Sequence, residues 1–384
     1  MAEVVLLPTW QAGAVRILIA PDGFGGTLTP AAAAAAIAAG WQRTAPADEL
    51  ELAPLSDGGP GLLEVLAEAL PDAVLVAVTV QDPLARPVEA AFLLDGATAY
   101  VEAAVACGLH LLGAQERDPT VTSSYGVGQL LRAAVDAGAT RVVVGLGGSG
   151  TNDGGAGLLA ALGVQGTGAA GEQLAPGGLA LRGASRLEGW PELPGVELIA
   201  ATDVDAPLLG LRGASAVFGP QKGATREQVA LLDGALTRWA EVLEAHCGRP
   251  VRDLPGAGAA GGLGAALLAL GATREPGLAL VRQVVGLEAK VARAELVLTG
   301  EGTFDATSLT GKVVSGVAAL AVEHAVPCVV LAGQVRLGRR EAAAYGVEAE
   351  HAVADLVGLE RALAEPASSL SELASRVAQQ WSRA

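Results

Sequence analysis

Aspartates recur where apolar, strand-like runs give way to glycine. Asp22 follows the run 15–20, Asp57 follows 49–53, Asp153 follows 141–144, Asp203 follows 196–201 and Asp305 follows 295–299. Lys222 and Lys312 stand in glycine-rich loops ahead of helix-like stretches. Carboxylates at the carboxyl ends of strands, with lysines and glycine nests, suit phosphoryl transfer. Ammonium and backbone N–H groups hold phosphate oxygens, while carboxylates hold Mg²⁺ or take the acceptor's proton. Any one of these aspartates read alone is a turn or cap residue; their recurrence is the signal. Only three of the 25 Lys and Arg residues are lysines, Lys222, Lys290 and Lys312, so lysine stands where a compact cation is wanted.

The densest of these stretches is GLGGSGTNDGGAG at 145–157. A β-branched run leads into it and an apolar helix pattern follows, the geometry that offers backbone N–H groups and a positive helix end to an anion. Gly147 and Gly148 supply the nest, and Ser149, Thr151, Asn152 and Asp153 supply polar side chains; Asn152 is the only asparagine in the chain. A tight turn explains the glycines but not the four polar groups. Lys312 does not belong to a Walker A loop, because Ala306 and Val313 occupy positions where that motif needs Gly and Ser or Thr.

Composition narrows the field. The chain has 384 residues, enough for two domains, with a net charge of −16, which argues against nucleic acid as a partner. Hydrophobic residues make up 51%, yet no run reaches the ~20 residues of a spanning helix. No basic flank or cleavage pattern marks a signal peptide, so a soluble, cytoplasmic protein without membrane partners is expected. Three scattered cysteines and four dispersed histidines make neither a disulfide framework nor a ligand set.

The elements alternate as strand, loop and helix. An apolar strand at 15–20 follows an extension over residues 1–14 and leads to an alanine-rich helix at 30–43, with Thr29 as its cap. The glycines at 23, 25 and 26 do not spell GxGxxG, so a dinucleotide-binding oxidoreductase is not supported. A second strand at 49–53 precedes a helix at 62–70. Closely spaced strands at 74–80, 88–94 and 99–103 predict antiparallel pairing. Residues 163–195 read as a long irregular connection. Helices are expected at 226–247 and 265–270, another opened by 309–312, a last clear strand at 328–332 and a closing helix at 369–383.

The segments IAPDGF (19–24), SDGG (56–59), RDP (117–119), SYGVG (124–128), the 145–157 loop, GASAVFGPQKGAT (213–225), PGAGAAGGLGAAL (255–267), TGEGTFD (299–305) and LTGK (309–312) occur together in this order. In them the chain resembles the bacterial glycerate kinases of the two-domain type. The resemblance implies ATP- and Mg²⁺-dependent phosphorylation of D-glycerate at the 2-hydroxyl. It implies two α/β domains, one doubly wound on a largely parallel sheet and the other mixed, with the site in the cleft between them. The expected division is 1–78 with 285–384, and 79–284. With the resemblance, the loop residues sort into roles. Asp203, Asp153, Lys312 and Lys222 are the catalytic candidates. Gly147, Gly148, Ser149, Asn152, Gly300, Glu301, Gly302 and Asp305 would bind the nucleotide. Asp22, Asp57 and Ser124 would bind the acceptor, and Asp57, Asp153 and Asp203 would hold Mg²⁺.

The chain departs from the family pattern at seven positions. Gly23 and Gly25 replace a serine and a lysine, Pro60 and Leu62 a glutamate and a threonine, Gln129 a glutamate, Ala206 an asparagine and Thr303 an arginine. These changes leave a second reading open, a family member that binds a small ligand without turnover or that phosphorylates a different small hydroxy acid.

Overall fold

The computed structural model describes residues 14–309 and 312–382. Most of the amino-terminal extension, and Thr310 and Gly311 of the lysine loop, lie outside the described residues. Two sheets are built from β1 (Arg16–Ile19), β2 (Glu49–Leu52), β3 (Val74–Gln81), β4 (Pro87–Asp95), β5 (Thr98–Glu102), β6 (Arg141–Gly145), β7 (Glu197–Ala201), β8 (Thr273–Glu275), β9 (Leu296–Thr299), β10 (Cys328–Ala332) and β11 (Ala349–Ala352). The chain divides into two compact units, one of residues 14–54 with 286–382 and one of residues 55–285. The first division falls at Pro54, not at 78. Residues 55–78 belong with the second unit because β3 pairs along β4 and the helix Leu62–Ala69 packs on β4, β5 and the helix Gly277–Val285.

The first unit is a parallel sheet in the order β11-β10-β9-β1-β2. The inner strands β9 and β10 are buried along their whole length, as a sheet covered on both faces requires of its Val, Ile and Leu runs. Thr29 caps the helix Pro30–Thr44 by accepting the Ala32 N–H at 3.2 Å, and Pro30 fits the first turn, which has no use for its missing N–H. That helix buries Ala33, Ala34, Ile37 and Trp41. A Cβ at Gly40 would collide with the Ser371 carbonyl, so glycine lets the helix Pro366–Trp381 lie close against it. Strand β11 was not expected. Glu350 and His351 break its apolar run, which an edge strand tolerates. The chain leaves β1 for β2 on one side and returns through β9, β10 and β11 on the other. The strand order therefore reverses between β1 and β9, the place where open α/β sheets bind ligands.

The second unit is a mixed sheet in the order β8-β7-β6-β5-β4-β3. Strands β3, β4 and β5 pair antiparallel, as expected from their spacing, and β5 through β8 pair parallel. Its core gathers Val142 and Val144 of β6 with Leu130, Leu158, Leu236, Trp239 and Leu263. The connection 163–195 is not wholly irregular. It holds the antiparallel pair Gln165–Thr167 with Arg186–Glu188 and a 3₁₀ turn at Gly178–Gly183, all too short to leave a periodic signal. Thr225 and Gln228 close a capping box on the helix Arg226–Cys247, which has the expected bounds. No helix among the described residues is long and apolar enough to cross a membrane.

Candidate active site

In the second unit, Asp57 and Asp203 stand in loops close enough for the Asp57 charge to act on Asp203. Asp203 follows β7, and its Oδ2 accepts the Leu278 N–H at 2.9 Å, at the start of the helix Gly277–Val285. Asp57 Oδ1 accepts the Gly59 N–H at 3.1 Å. A Cβ at Gly277 would collide with the Asp57 carbonyl, so glycine there brings the Asp57 loop against the helix that holds Asp203. Burial pushes the Asp203 carboxyl up to about 6, and the Asp57 charge adds to the rise against the pull of Leu278 and Arg274. A carboxylate with that value at a strand end is fit to take a proton near neutral pH. Asp205 is exposed and pairs with Arg274 Nη2 at 2.7 Å, while Arg274 Nε is buried without a hydrogen-bond partner.

The 145–157 loop is built differently from its expectation. Its N–H groups are largely consumed by the protein itself: Gly147 donates to Gly58, Gly150 to Cys107 and Gly154 to Gly261. At the start of the short helix Ala156–Ala161 the anion is Asp153. Its Oδ2 accepts the Ser124 N–H and hydroxyl, each at 2.8 Å, and the Gly157 N–H at 3.1 Å, while Oδ1 accepts the Gly155 N–H at 3.2 Å. Asp153 and Ser124 are both buried, and the Ser124 hydroxyl also accepts the Leu158 N–H. Burial raises the Asp153 carboxyl against these donors. Gly147 and Asp153 of this loop are thus engaged within the second unit.

Lys222 is tied to the same loop. It is buried, and its Nζ donates to the Thr151 carbonyl at 2.6 Å. Burial lowers its ammonium to about 8, with the Asp153 charge opposing that fall. Asn152 Nδ2 donates to Ser215 Oγ at 2.9 Å, and Ser149 is buried. Asn152 is therefore used for a buried side-chain bond within the unit. Its Oδ1 and the Thr151 hydroxyl oxygen are buried without a hydrogen-bond partner.

The first unit carries the other loops. Gly300 and Gly302 do not open a helix. They lead into a two-residue strand, Thr303–Phe304, paired with Gln334–Val335, and the Glu301 and Gly302 carbonyls accept the Gly333 and Gln334 N–H groups. Asp22 Oδ1 accepts the Gly23 N–H at 2.7 Å, and the Asp22 N–H donates to the Gly300 carbonyl. Asp305 Oδ1 accepts the Thr307 N–H and hydroxyl at 2.8 and 2.7 Å. The Thr307 hydroxyl, with Lys312 and Arg336 further off, holds the Asp305 carboxyl below its ordinary value. Lys312 Nζ donates to Thr307 Oγ1 at 3.2 Å and lies 4.0 Å from Glu301 Oε2. Lys312 takes the cap position of the helix Val313–Glu323, whose first turn has neither a side-chain cap nor an acidic residue.

The three carboxylates expected to hold Mg²⁺, Asp57, Asp153 and Asp203, do not gather as one cluster. Among the described residues no three His, Cys, Asp or Glu side chains come together as a metal site. Asp153 is buried and turned to four donors of its own unit. Asp57 and Asp203 remain, and two carboxylates completed by phosphate oxygens and water are a set that Mg²⁺ accepts. Several departures from the family pattern are packing positions. Gln129 Oε1 accepts the Gln81 N–H at 2.8 Å at the end of β3, and Leu62 is buried at the start of its helix. The Ala206 carbonyl accepts the Gly258 N–H.

Two residues were not singled out from the sequence. Glu102 ends β5 and accepts the Gly61 and Leu63 N–H groups at 3.2 and 3.4 Å, and burial pushes its carboxyl up to about 7. An acid closing an otherwise apolar strand was its only trace. Arg274 sits on the three-residue strand β8, too short to be read as a strand, and the fold alone sets it near Asp203.

Residues 17–382 match the model of the glycerate kinase family. A glycerate kinase of Halalkalibacterium halodurans is 40% identical over 369 residues, covering 94% of this chain and 97% of that protein. A glycerate 2-kinase of Escherichia coli K12 is 39% identical over 350 residues, covering 90% and 92%. The crystal structure of a protein assigned as glycerate kinase 2 from Salmonella typhimurium LT2 superposes with a TM-score of 0.76 at 39% identity, covering 96% of this chain and 98% of that one. The chain belongs to the glycerate kinase family.

Proposed function

We propose that this chain transfers the γ-phosphoryl group of ATP to the 2-hydroxyl of D-glycerate, giving 2-phosphoglycerate. The observation that carries the reading is Asp203, a half-buried carboxylate at a strand end whose proton affinity is raised to about 6 and whose Oδ2 is fixed by the Leu278 N–H. Asp203 Oδ1 takes the proton of the acceptor hydroxyl as the new P–O bond forms. Arg274, beside Asp203, is the cation for the acceptor's carboxylate, a planar group matched to guanidinium. Asp57 would hold Mg²⁺, which when bound neutralises charge on the transferred phosphoryl group. On the donor side, Lys312 and the uncapped first turn of the helix Val313–Glu323 receive phosphate oxygens. Asp153, Ser124, Lys222 and Asn152 brace the 145–157 loop of the second unit, and no reacting atom is assigned to them.

The regiochemistry is supported by the name of the Escherichia coli relative, a glycerate 2-kinase. Phosphorus NMR of the product formed from ATP, Mg²⁺ and D-glycerate tests it. The resonance of 2-phosphoglycerate is expected, and that of 3-phosphoglycerate would overturn the position of transfer. ADP release with another small hydroxy acid but not with glycerate would replace the acceptor.

A further inference from the structure

A cavity of about 130 Å³ opens in the first unit beside the carboxyl ends of β1, β9 and β10. It lies at the place where the strand order reverses, the binding crevice of doubly wound sheets. At ~30 Å³ per molecule it has room for about four waters, the space of one ring system and not of a whole nucleotide. Its walls are Phe24 and Gly25 of the loop after β1, Gly302 and Thr303 of the loop after β9, and the helices Leu359–Ala364 and Pro366–Trp381. None of the described residues lining it is ionisable.

Resting on the kinase reading, we propose that this cavity is the subsite for the uncharged nucleobase of the phosphoryl donor. Three observations converge. A neutral lining disfavours the phosphates and the acceptor's carboxylate, both of which need cations, and suits a flat heteroaromatic ring. Leu359 and Leu363 are 47% and 57% exposed on the rim helix, large apolar surface that a stacked ring would cover. Finally, the lining is close along the chain to the turn that carries cations. Thr303 lies two residues before Asp305, whose field is set partly by Lys312 and Arg336, and Gln334 of the rim accepts from Arg336 at 3.0 Å. A base in the cavity leaves its phosphates beside Lys312.

Gly25 and Thr303 both line this cavity. A Cβ at Gly25 would meet nothing within 4 Å, so the space above it is open. In this chain both positions are neutral. Gln334 offers an amide, donor and acceptor together, to the edge of a base.

Calorimetric titration of the full chain with Mg-ATP and, separately, with Mg-tripolyphosphate tests the assignment. The wild type is expected to bind Mg-ATP at least ~10-fold more tightly than tripolyphosphate, the difference coming from the base. Leu363→Glu, at an exposed position compatible with folding, should erase that difference while leaving the tripolyphosphate affinity within about twofold, and Leu359→Glu should behave alike. Equal affinity for the two ligands in the wild type, or an ATP preference that survives both substitutions, overturns the subsite. Mg-ATP preference without ADP release from glycerate or any other small hydroxy acid would sink the kinase reading and leave the cavity as a nucleobase site.

Discussion

Asp153 Oδ2 receives both the backbone N–H and the hydroxyl of Ser124 at 2.8 Å, joining the loop after β6 to the start of the helix Tyr125–Asp136. The most conspicuous motif of the sequence is therefore held together by its own carboxylate. Ser124→Ala leaves one acceptor position of a buried carboxylate unfilled and should cost about 1–3 kcal/mol. Asp153→Asn replaces the charged acceptor of four N–H and O–H donors with an amide and should cost about 1.5–3 kcal/mol. Urea unfolding measures both. Full stability with lost turnover in either variant would place the pair in the chemistry instead.

Glu102 gives a pH dependence of stability. Its carboxyl titrates near 4.5 ordinarily and near 7 when folded. A raised value means that its favourable contribution is whole below about 4.5 and lost as pH rises through 7. The stability of the wild type relative to Glu102→Gln should fall between pH 5 and 8 by up to about 3 kcal/mol, at 1.36 kcal/mol per unit. A difference independent of pH over that span would remove Glu102 as a titrating group.

Lys312 is expected to receive a phosphate oxygen, and a charge-assisted bond of that kind is worth about 1.5–3 kcal/mol. Lys312→Ala should then raise the Kd of Mg-ATP by roughly 10- to 100-fold, read by calorimetry. Unchanged affinity would take the lysine out of the donor site.

Arg274→Lys keeps the charge but loses the planar fork. The KM for D-glycerate should rise by about 10-fold or more with little change in the KM for ATP. Equal effects on both would mean that Arg274 works through the loops and not on the acceptor.

These outcomes bear on what the sequence could disclose. The inner strands were legible because burial on both faces writes them as continuous runs, such as Arg141–Gly145 and Cys328–Ala332. Strand β11 was not, because an edge strand can carry Glu350 and His351. The aspartates at strand ends were visible individually, but their grouping was not. Sequence spacing does not say that Asp153 turns inward to Ser124 while Asp203 takes the Leu278 N–H, since both aspartates follow a strand. Glycine counts were equally ambiguous. At Gly147 the missing side chain admits the Gly59 backbone, not a ligand. Arg274 illustrates the other limit, because its neighbours come from segments about 70 residues away in the chain.

On the proposed function, Asp203 takes the proton in ATP-dependent phosphorylation of D-glycerate. The measurement that tests it most directly is the pH profile of kcat/KM for D-glycerate, followed by coupled ADP release in the wild type and in Asp203→Asn. A base must be ionised to act, so the wild-type rate should climb with pH and level off above about 6, where Asp203 loses its proton. Asp203→Asn should lose at least ~10²-fold and show no such limb. Near-normal turnover in Asp203→Asn with the same profile would contradict the account.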